Sequence, residues 1–280
     1  MCSTAHCLVG PALLPCVSVH TTQIIAVTLS PMHTHHNHLA EDDRSPARAL
    51  VNRLLSSLPD DEQGELARLG ETVKVEVGDV LYEPGQTVRH VYFPIDCLLS
   101  LLAVAEGRMT LEVGSVGREG MIGAPVVLGH EMAQVRAVVQ RAGRAVRIDA
   151  AEFRLVYART EPLQRLLHRY TDTLLAQAIQ IAVCSRFHVL EARLARSLLI
   201  TRDRLQSDKF HLTHEFLAHA LGVRRVGVTK AASALQNQKL ISYSRGNIEI
   251  LDAAGLEAVS CRCYELVKDE GLIGISNVFV

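Results

Sequence analysis

Between Leu212 and Leu235 two stretches of helical period meet at a single glycine, Gly222. In the first, Thr213 is placed to accept a hydrogen bond from a free backbone N–H at the helix start, and Leu217, Ala218 and Leu221 form one apolar face. In the second, Val228, Ala231, Ala232 and Leu235 share an arc at about 100° per residue. The opposite arc carries Arg225, Val226, Thr229, Lys230, Ser233 and Asn237, which are small or cationic. Helix, tight turn, helix is the local structure these positions dictate, and a helical hairpin with a solvated basic face is the plainer alternative.

Charge bears on that choice. The chain as a whole is balanced, with 29 Lys+Arg against 30 Asp+Glu and a net charge of -1. From Phe216 to Ile248, however, there is no Asp or Glu, while Arg224, Arg225, Lys230, Lys239 and Arg245 are all positive. One-sided charge of this kind is what phosphate binding requires, and small side chains on the exposed arc let a helix lie in a major groove. Leu240–Ser244 and Asn247–Leu251 then alternate around Arg245-Gly246, which predicts a hairpin beside the helix pair. A winged helix-turn-helix is the expectation, with Thr213, Arg224, Arg225, Val226, Thr229, Lys230, Ser233 and Arg245 facing double-stranded DNA.

Upstream the period is two rather than 3.6. Val73, Val75 and Val77 alternate with Lys74 and Glu76; Gly78-Asp79 and Pro84-Gly85 read as turns. Short apolar runs recur at Val80–Tyr82, Val91–Phe93, Leu98–Val104, Met109–Val113, Val135–Val139 and Ala145–Ile148. The stretch from 70 to 150 therefore reads as an antiparallel β-roll or barrel. Before it, Leu50, Val51, Leu54, Leu55 and Leu58 have the spacing of a short amphipathic helix over Ala47–Leu58.

After Asp149 the period changes. From Pro162 to His188 there is no internal Pro or Gly. Leu163, Leu167, Tyr170, Leu174, Gln177 and Ile181 form one stripe, and Leu166, Leu175, Ala178, Ala182 and Val183 a second. A helix apolar on two sides needs two neighbours. The first stripe has a seven-residue repeat and is assigned to the seam with a second copy of the chain, Gln177 fixing register there; the second is assigned to the roll.

These patterns divide the chain into a tail without periodic structure (1–46), a β-roll domain (47–158), a dimerisation helix (159–190), a winged helix-turn-helix (191–256) and a C-terminal extension (257–280). The fold class is α+β. In the tail, Leu8–Leu29 lacks charge, but Pro11, Pro15, His20, Thr21, Thr22 and Gln23 interrupt it, so no membrane role is expected. His33, His35, His36 and His38 sit close in sequence, yet adjacent ligands on a loose chain fix no geometry. Seven scattered cysteines suit reduced thiols in the cytoplasm rather than a disulfide scaffold. Cys261 and Cys263 read as two ordinary thiols on a C-terminal helix, with a redox or metal pair as the alternative. No metal site is assigned.

Enzyme motifs do not hold up. His214-Glu215 has its second histidine at His219, five residues on, so the two rings diverge by about 140° and cannot share a zinc. Gly114, Gly117 and Gly120 match neither a dinucleotide fingerprint nor a phosphate loop and lie between strands. The β-rich stretch holds only His90 and His130, too few for a cupin-type metal centre. The absence of Trp and an aromatic content of 4% argue against single-strand binding by base stacking.

With its β-rich stretch, long helix and segment from Leu212 to Leu251, the chain resembles the Crp/Fnr family of bacterial transcription regulators over roughly residues 48 to 255. The resemblance implies a roll like a cyclic-nucleotide-binding domain and a homodimer on a two-fold-symmetric operator. It also implies a contact with RNA polymerase and no enzymatic activity. Arg225 and Lys230 match the family's base- and phosphate-reading positions, whereas Val226 stands where the family usually has an acidic residue and Arg224 where a capping Ser is common. Setting Met121-Ile122-Gly123-Ala124 against the family's phosphate cassette puts Ala124 in place of the ribose-binding Glu. The phosphate-pairing arginine falls near Gln134 or Val135, and Arg136, one residue off, points to the other face of a strand. Cyclic nucleotide is therefore disfavoured, and no cofactor is assigned. Cys2, Cys7, Cys16 and Cys97 lack the tight spacing of an iron–sulfur site. A dimeric roll module without specific DNA binding is the alternative function.

Overall fold

Alternating apolar residues build the first half of the molecule. A computed structural model describes residues 52–105 and 109–269. The tail with its histidines, the uncharged Leu8–Leu29 stretch, Cys2, Cys7, Cys16 and the end of the C-terminal extension lie outside the described residues. Strands β1 (Glu71–Val75), β7 (Gly143–Asp149) and β3 (His90–Pro94) form one antiparallel sheet with β7 in the middle. Its register runs Glu71↔Arg147 to Val75↔Gly143 on one side and His90↔Asp149 to Pro94↔Ala145 on the other. Strands β2 (Val80–Tyr82), β6 (Arg136–Arg141), β4 (Leu98–Val104) and β5 (Thr110–Val116) form the facing sheet in that order. Val91, Phe93, Leu99, Val139 and Ile148 fill the space between the two sheets and are buried.

Helices close the roll. Pro59 precedes α1 (Asp60–Leu69), whose first turn carries Asp60, Asp61 and Glu62, the favourable sign for a helix N-terminus. The short helix expected at Ala47–Leu58 is, in its described part, a single 3-10 turn at Leu55–Ser57. Asn52 holds it there, its amide donating to the carbonyls of Pro94 and Gly120, both at 2.9 Å. The four-residue α2 (Ala124–Val127) follows Gly123, whose φ of 115° suits only glycine. Asp149 caps α3 (Ala150–Arg159), accepting from the N–H groups of Ala151 and Glu152, and Phe153 of α3 packs on Phe93 with ring centroids 5.9 Å apart.

The long helix is α4 (Glu161–Phe187), 27 residues or about 40 Å. The single chain already buries most of the residues expected at its seam. Leu163, Leu167, Tyr170, Gln177 and Ile181, expected at a subunit seam, are buried against the chain's own elements, with Leu174 half-buried beside them. The Tyr170 hydroxyl donates to Met121 O at 2.7 Å, and Gln177 and Ile181 meet Arg196 and Ile200 of the next helix around a small cavity. The outward side carries Leu175, Ile179 and Val183, with 59%, 57% and 42% of their surface exposed. Periodicity reveals two apolar sides of a helix but not which neighbour each side meets. Of all described helices, none is long and apolar enough to cross a membrane.

A second core follows. Helices α5 (Leu190–Leu205), α6 (His214–Leu221), α7 (Arg225–Asn237), α8 (Ala253–Val259) and α9 (Cys263–Asp269) surround a three-stranded sheet of β8 (Lys209–His211), β10 (Asn247–Ile250) and β9 (Ile241–Ser244). Leu194, Leu199, Leu217, Val228, Leu235 and Leu256 bury their side chains at its centre. The two halves meet at a buried ion pair, Arg204 Nε to Glu119 Oε1 at 2.9 Å. They meet again where Thr110 Oγ1 of β5 donates to His219 O at 3.0 Å.

Candidate nucleic-acid interface

Local chemistry sets the two helices in place. Thr213 Oγ1 accepts from Phe216 N at 3.1 Å and caps α6. At the other end Gly222 takes a left-handed conformation, φ 64°, and its N–H closes on His219 O at 3.4 Å. The buried Arg193 of α5 donates to Leu221 O, one of the free carbonyls of the last turn. Arg224 then occupies the N-cap of α7, and because a guanidinium has no acceptor the first N–H groups of α7 have no side-chain cap.

The faces of α7 divide as their spacing demands. Val228, Ala231, Ala232 and Leu235 are buried, packed toward α5 and α6. Arg225, Val226, Thr229, Lys230, Ser233 and Asn237 are exposed, as is Arg224. Arg224, Arg225, Lys230, Lys239 and Arg245 form no salt bridge with any described acidic side chain, whereas Arg136, Arg144, Arg147 and Arg154 in the roll are all paired. Exposed cations without such partners create the positive field that draws a polyanion.

The wing stands where the hairpin pattern places it. Ser244 pairs with Asn247 across a two-residue turn in which Arg245 and Gly246 have φ of 51° and 88°, the conformation of a tight primed hairpin. A side chain at position 246 would meet the His211 ring at 2.5 Å, which explains the glycine. Arg245 is thereby held at the exposed tip.

Sequence reasoning missed the residue that joins these parts. His214, at the start of α6, stacks on Tyr243 of the wing with ring centroids 4.1 Å apart and planes 15° apart. Its Nδ1 lies 3.1 Å from Thr229 Oγ1 on α7, and that hydroxyl also donates to Arg225 O at 3.1 Å. Thr229 thus faces outward with its hydroxyl already engaged. Burial, and then the nearby Arg225 charge, lower the pKa of His214, which favours the neutral ring. The i,i+15 relation of His214 to Thr229 gives no periodic signal.

Two positions in the roll are those expected to bear on a cyclic phosphate. Ala124, at the first position of α2, has no polar side-chain atom, and Arg136 is paired to Glu83 at 2.8 Å. Among the described residues, the group able to hold a metal is elsewhere: Cys184, His188, Cys261 and Cys263.

Comparison with known proteins agrees with the geometry. The sequence model of the Crp-like helix-turn-helix domain matches residues 192–259, and no curated protein matches the chain significantly. Among solved structures the fold is similar to a protein assigned to the Crp/Fnr family from Eubacterium rectale, at a TM-score of 0.61 and 17% identity over 74% of this chain and 97% of that one. FixK2 from Bradyrhizobium japonicum matches at 0.59 and 12%, covering 69% and 98% of the two chains. A Crp/Fnr-family transcriptional regulator from Thermus thermophilus matches at 0.57 and 24%, covering 68% and 98%. The chain carries a Crp-like helix-turn-helix domain at residues 192–259 on the fold of the Crp/Fnr transcriptional regulators.

Proposed function

We propose that the protein is a sequence-specific double-stranded DNA-binding transcription regulator that acts as a homodimer on a two-fold-symmetric operator. The observation that carries this reading is the exposed face of α7, where Arg224, Arg225 and Lys230 have no acidic partner among the described residues. With α7 in a major groove, Arg225 reads base edges, Val226 and Ser233 allow close approach, and Arg224, Lys230 and wing-tip Arg245 meet phosphates. Thr213 and Thr229, whose oxygens are engaged inside the domain, position α6 and α7 and contribute contact surface.

The second copy is assigned to the outward stripe of α4. Leu175, Ile179 and Val183 recur at i, i+4 and i+8 and are exposed over a continuous face, which a parallel copy of the same helix would cover. The roll serves as an effector or interaction domain without a cyclic nucleotide, contact with RNA polymerase sets the regulatory output, and the protein works in the cytoplasm without enzymatic activity.

Binding measured with matched and scrambled duplexes tests the reading. Arg225→Ala removes the preference between them, at about 1–3 kcal/mol for a bidentate base contact, while Lys239→Ala weakens both alike. A dimer with about eight phosphate contacts gives a log K against log salt slope near −7. A flat salt response, with equal losses in both variants, points instead to a roll module that does not read DNA.

A further inference from the structure

Cys184 and His188 stand one turn apart at the C-terminal end of α4, while Cys261 and Cys263 lie at the entrance to α9. The four come together although 73 residues separate His188 from Cys261. Cys184 Sγ is 3.5 Å from Cys261 Sγ, and Cys263 Sγ is 3.4 Å from His188 Nδ1. All four ligand atoms lie within 4.8 Å of one another. A tetrahedral zinc ion with Zn–S bonds near 2.3 Å separates its thiolates by about 3.8 Å, so the spacing already approaches that of a filled tetrahedron.

The surroundings point the same way. The three cysteines are buried, where thiols without an occupant would pack as plain apolar groups. The Gln180 amide donates to Cys263 Sγ at 2.8 Å, the outer hydrogen bond that a coordinated thiolate accepts. Among the described residues, two buried arginines of α5, Arg193 and Arg196, form no salt bridge with a carboxylate, and Arg196 Nε has no hydrogen-bond partner. Both lie close enough to Cys184 for their charges to act on its sulfur. Three thiolates and a divalent cation carry a net negative charge, which such arginines offset.

We propose that Cys184, His188, Cys261 and Cys263 form a structural Cys3His site for a zinc-class divalent ion. On binding, the three thiols release their protons to solvent and the imidazole coordinates in its neutral form. The protein fills every coordination position, so the ion holds structure and has no open position for chemistry. What it holds is the joint between α4 and α5. The chain turns there, from the long helix into the helix-turn-helix domain, and the ligands come from one side of the turn and from the far end of that domain.

Full-length protein, purified without added chelator, is assayed for metal content and then reloaded with cobalt(II) under reducing conditions. The wild type is expected to hold one zinc per chain and, with cobalt, to show a thiolate-to-cobalt charge-transfer band and the strong visible bands of tetrahedral coordination. Cys184→Ser and His188→Ala lose these bands, and Gln180→Ala weakens affinity about 10–100-fold. Cys97→Ser, and a variant with Cys2, Cys7 and Cys16 all changed to Ser, keep them. Circular dichroism verifies that each variant is folded, and the wild-type spectrum stands on its own if one is not. The proposal is overturned if reduced wild-type protein takes up no tetrahedral thiolate-bound cobalt, if Cys184→Ser retains full metal, or if Cys184 and Cys261 are isolated as a disulfide in metal-loaded protein.

Discussion

The imidazole of His214 lies on the phenol ring of Tyr243, centroid to centroid 4.1 Å, and so ties the first helix of the helix-turn-helix to the wing that follows the second. The same imidazole reaches Thr229 on α7, so one side chain braces three elements. Tyr243→Ala should lower the stability of this domain by about 1 kcal/mol through loss of the stack, beyond the cost of reduced burial. Denaturant unfolding followed by far-UV circular dichroism measures it, and an unchanged midpoint would mean the stack bears no weight.

His214 also predicts a pH dependence. Its pKa is lowered in the folded protein, so its contribution to stability is complete above the unfolded value, near 6.5. That contribution is lost as the pH falls toward the lowered folded value, because the unfolded chain takes up a proton the folded one resists. Melting temperatures should fall from pH 7 to pH 5, and His214→Gln should flatten that fall. Parallel profiles for the two proteins would remove His214 as the cause.

Glu119 and Arg204 join the roll to α5 in a setting almost without solvent, their side chains 10% and 2% exposed. Replacing one partner leaves a buried charge uncompensated. Glu119→Gln should cost about 3–5 kcal/mol, measured by denaturant unfolding, and loosen the joint between the two halves. A loss below about 1 kcal/mol would show that solvent reaches the pair.

The outward face of α4 separates two roles that its sequence leaves mixed. Leu175→Glu and Ile179→Glu should give folded monomers in sedimentation analysis, since both residues are exposed in the single chain. Leu167→Ala should cost about 2–5 kcal/mol of stability, because Leu167 is fully buried in the roll core. Dimers that survive both charged substitutions would place the subunit contact elsewhere.

The legible parts of the fold are those where local period and burial coincide. The strand runs Val80–Tyr82 and Leu98–Val104 occur as β2 and β4, and the apolar arc of Val228, Ala231, Ala232 and Leu235 is the buried face of α7. Gly222 and Gly246 turn where the conformational freedom of glycine allows. What stayed hidden depends on partners distant in sequence. Helix α1 is polar on most of its surface and buries only Leu66, too little for a clear period. Strand β8 has three residues and is defined by its pairing with β10. Leu163 and Leu175 belong to stripes of equal apolar character, and only the position of the roll decides between them. Cys184 and His188 have the i, i+4 spacing of a ligand pair, a signal that the distant Cys261 and Cys263 complete.

Selection of bound fragments from random duplex DNA by the purified full-length protein tests whether α7 is a DNA-reading surface presented twice. Two recognition helices on one dimer should recover an inverted repeat with half-site centres one helical turn, about 34 Å, apart, and Arg225→Ala should lose the consensus within each half while keeping general affinity. Recovery of unrelated sequences, or of one isolated half-site with the same yield for wild type and Arg225→Ala, would contradict that role.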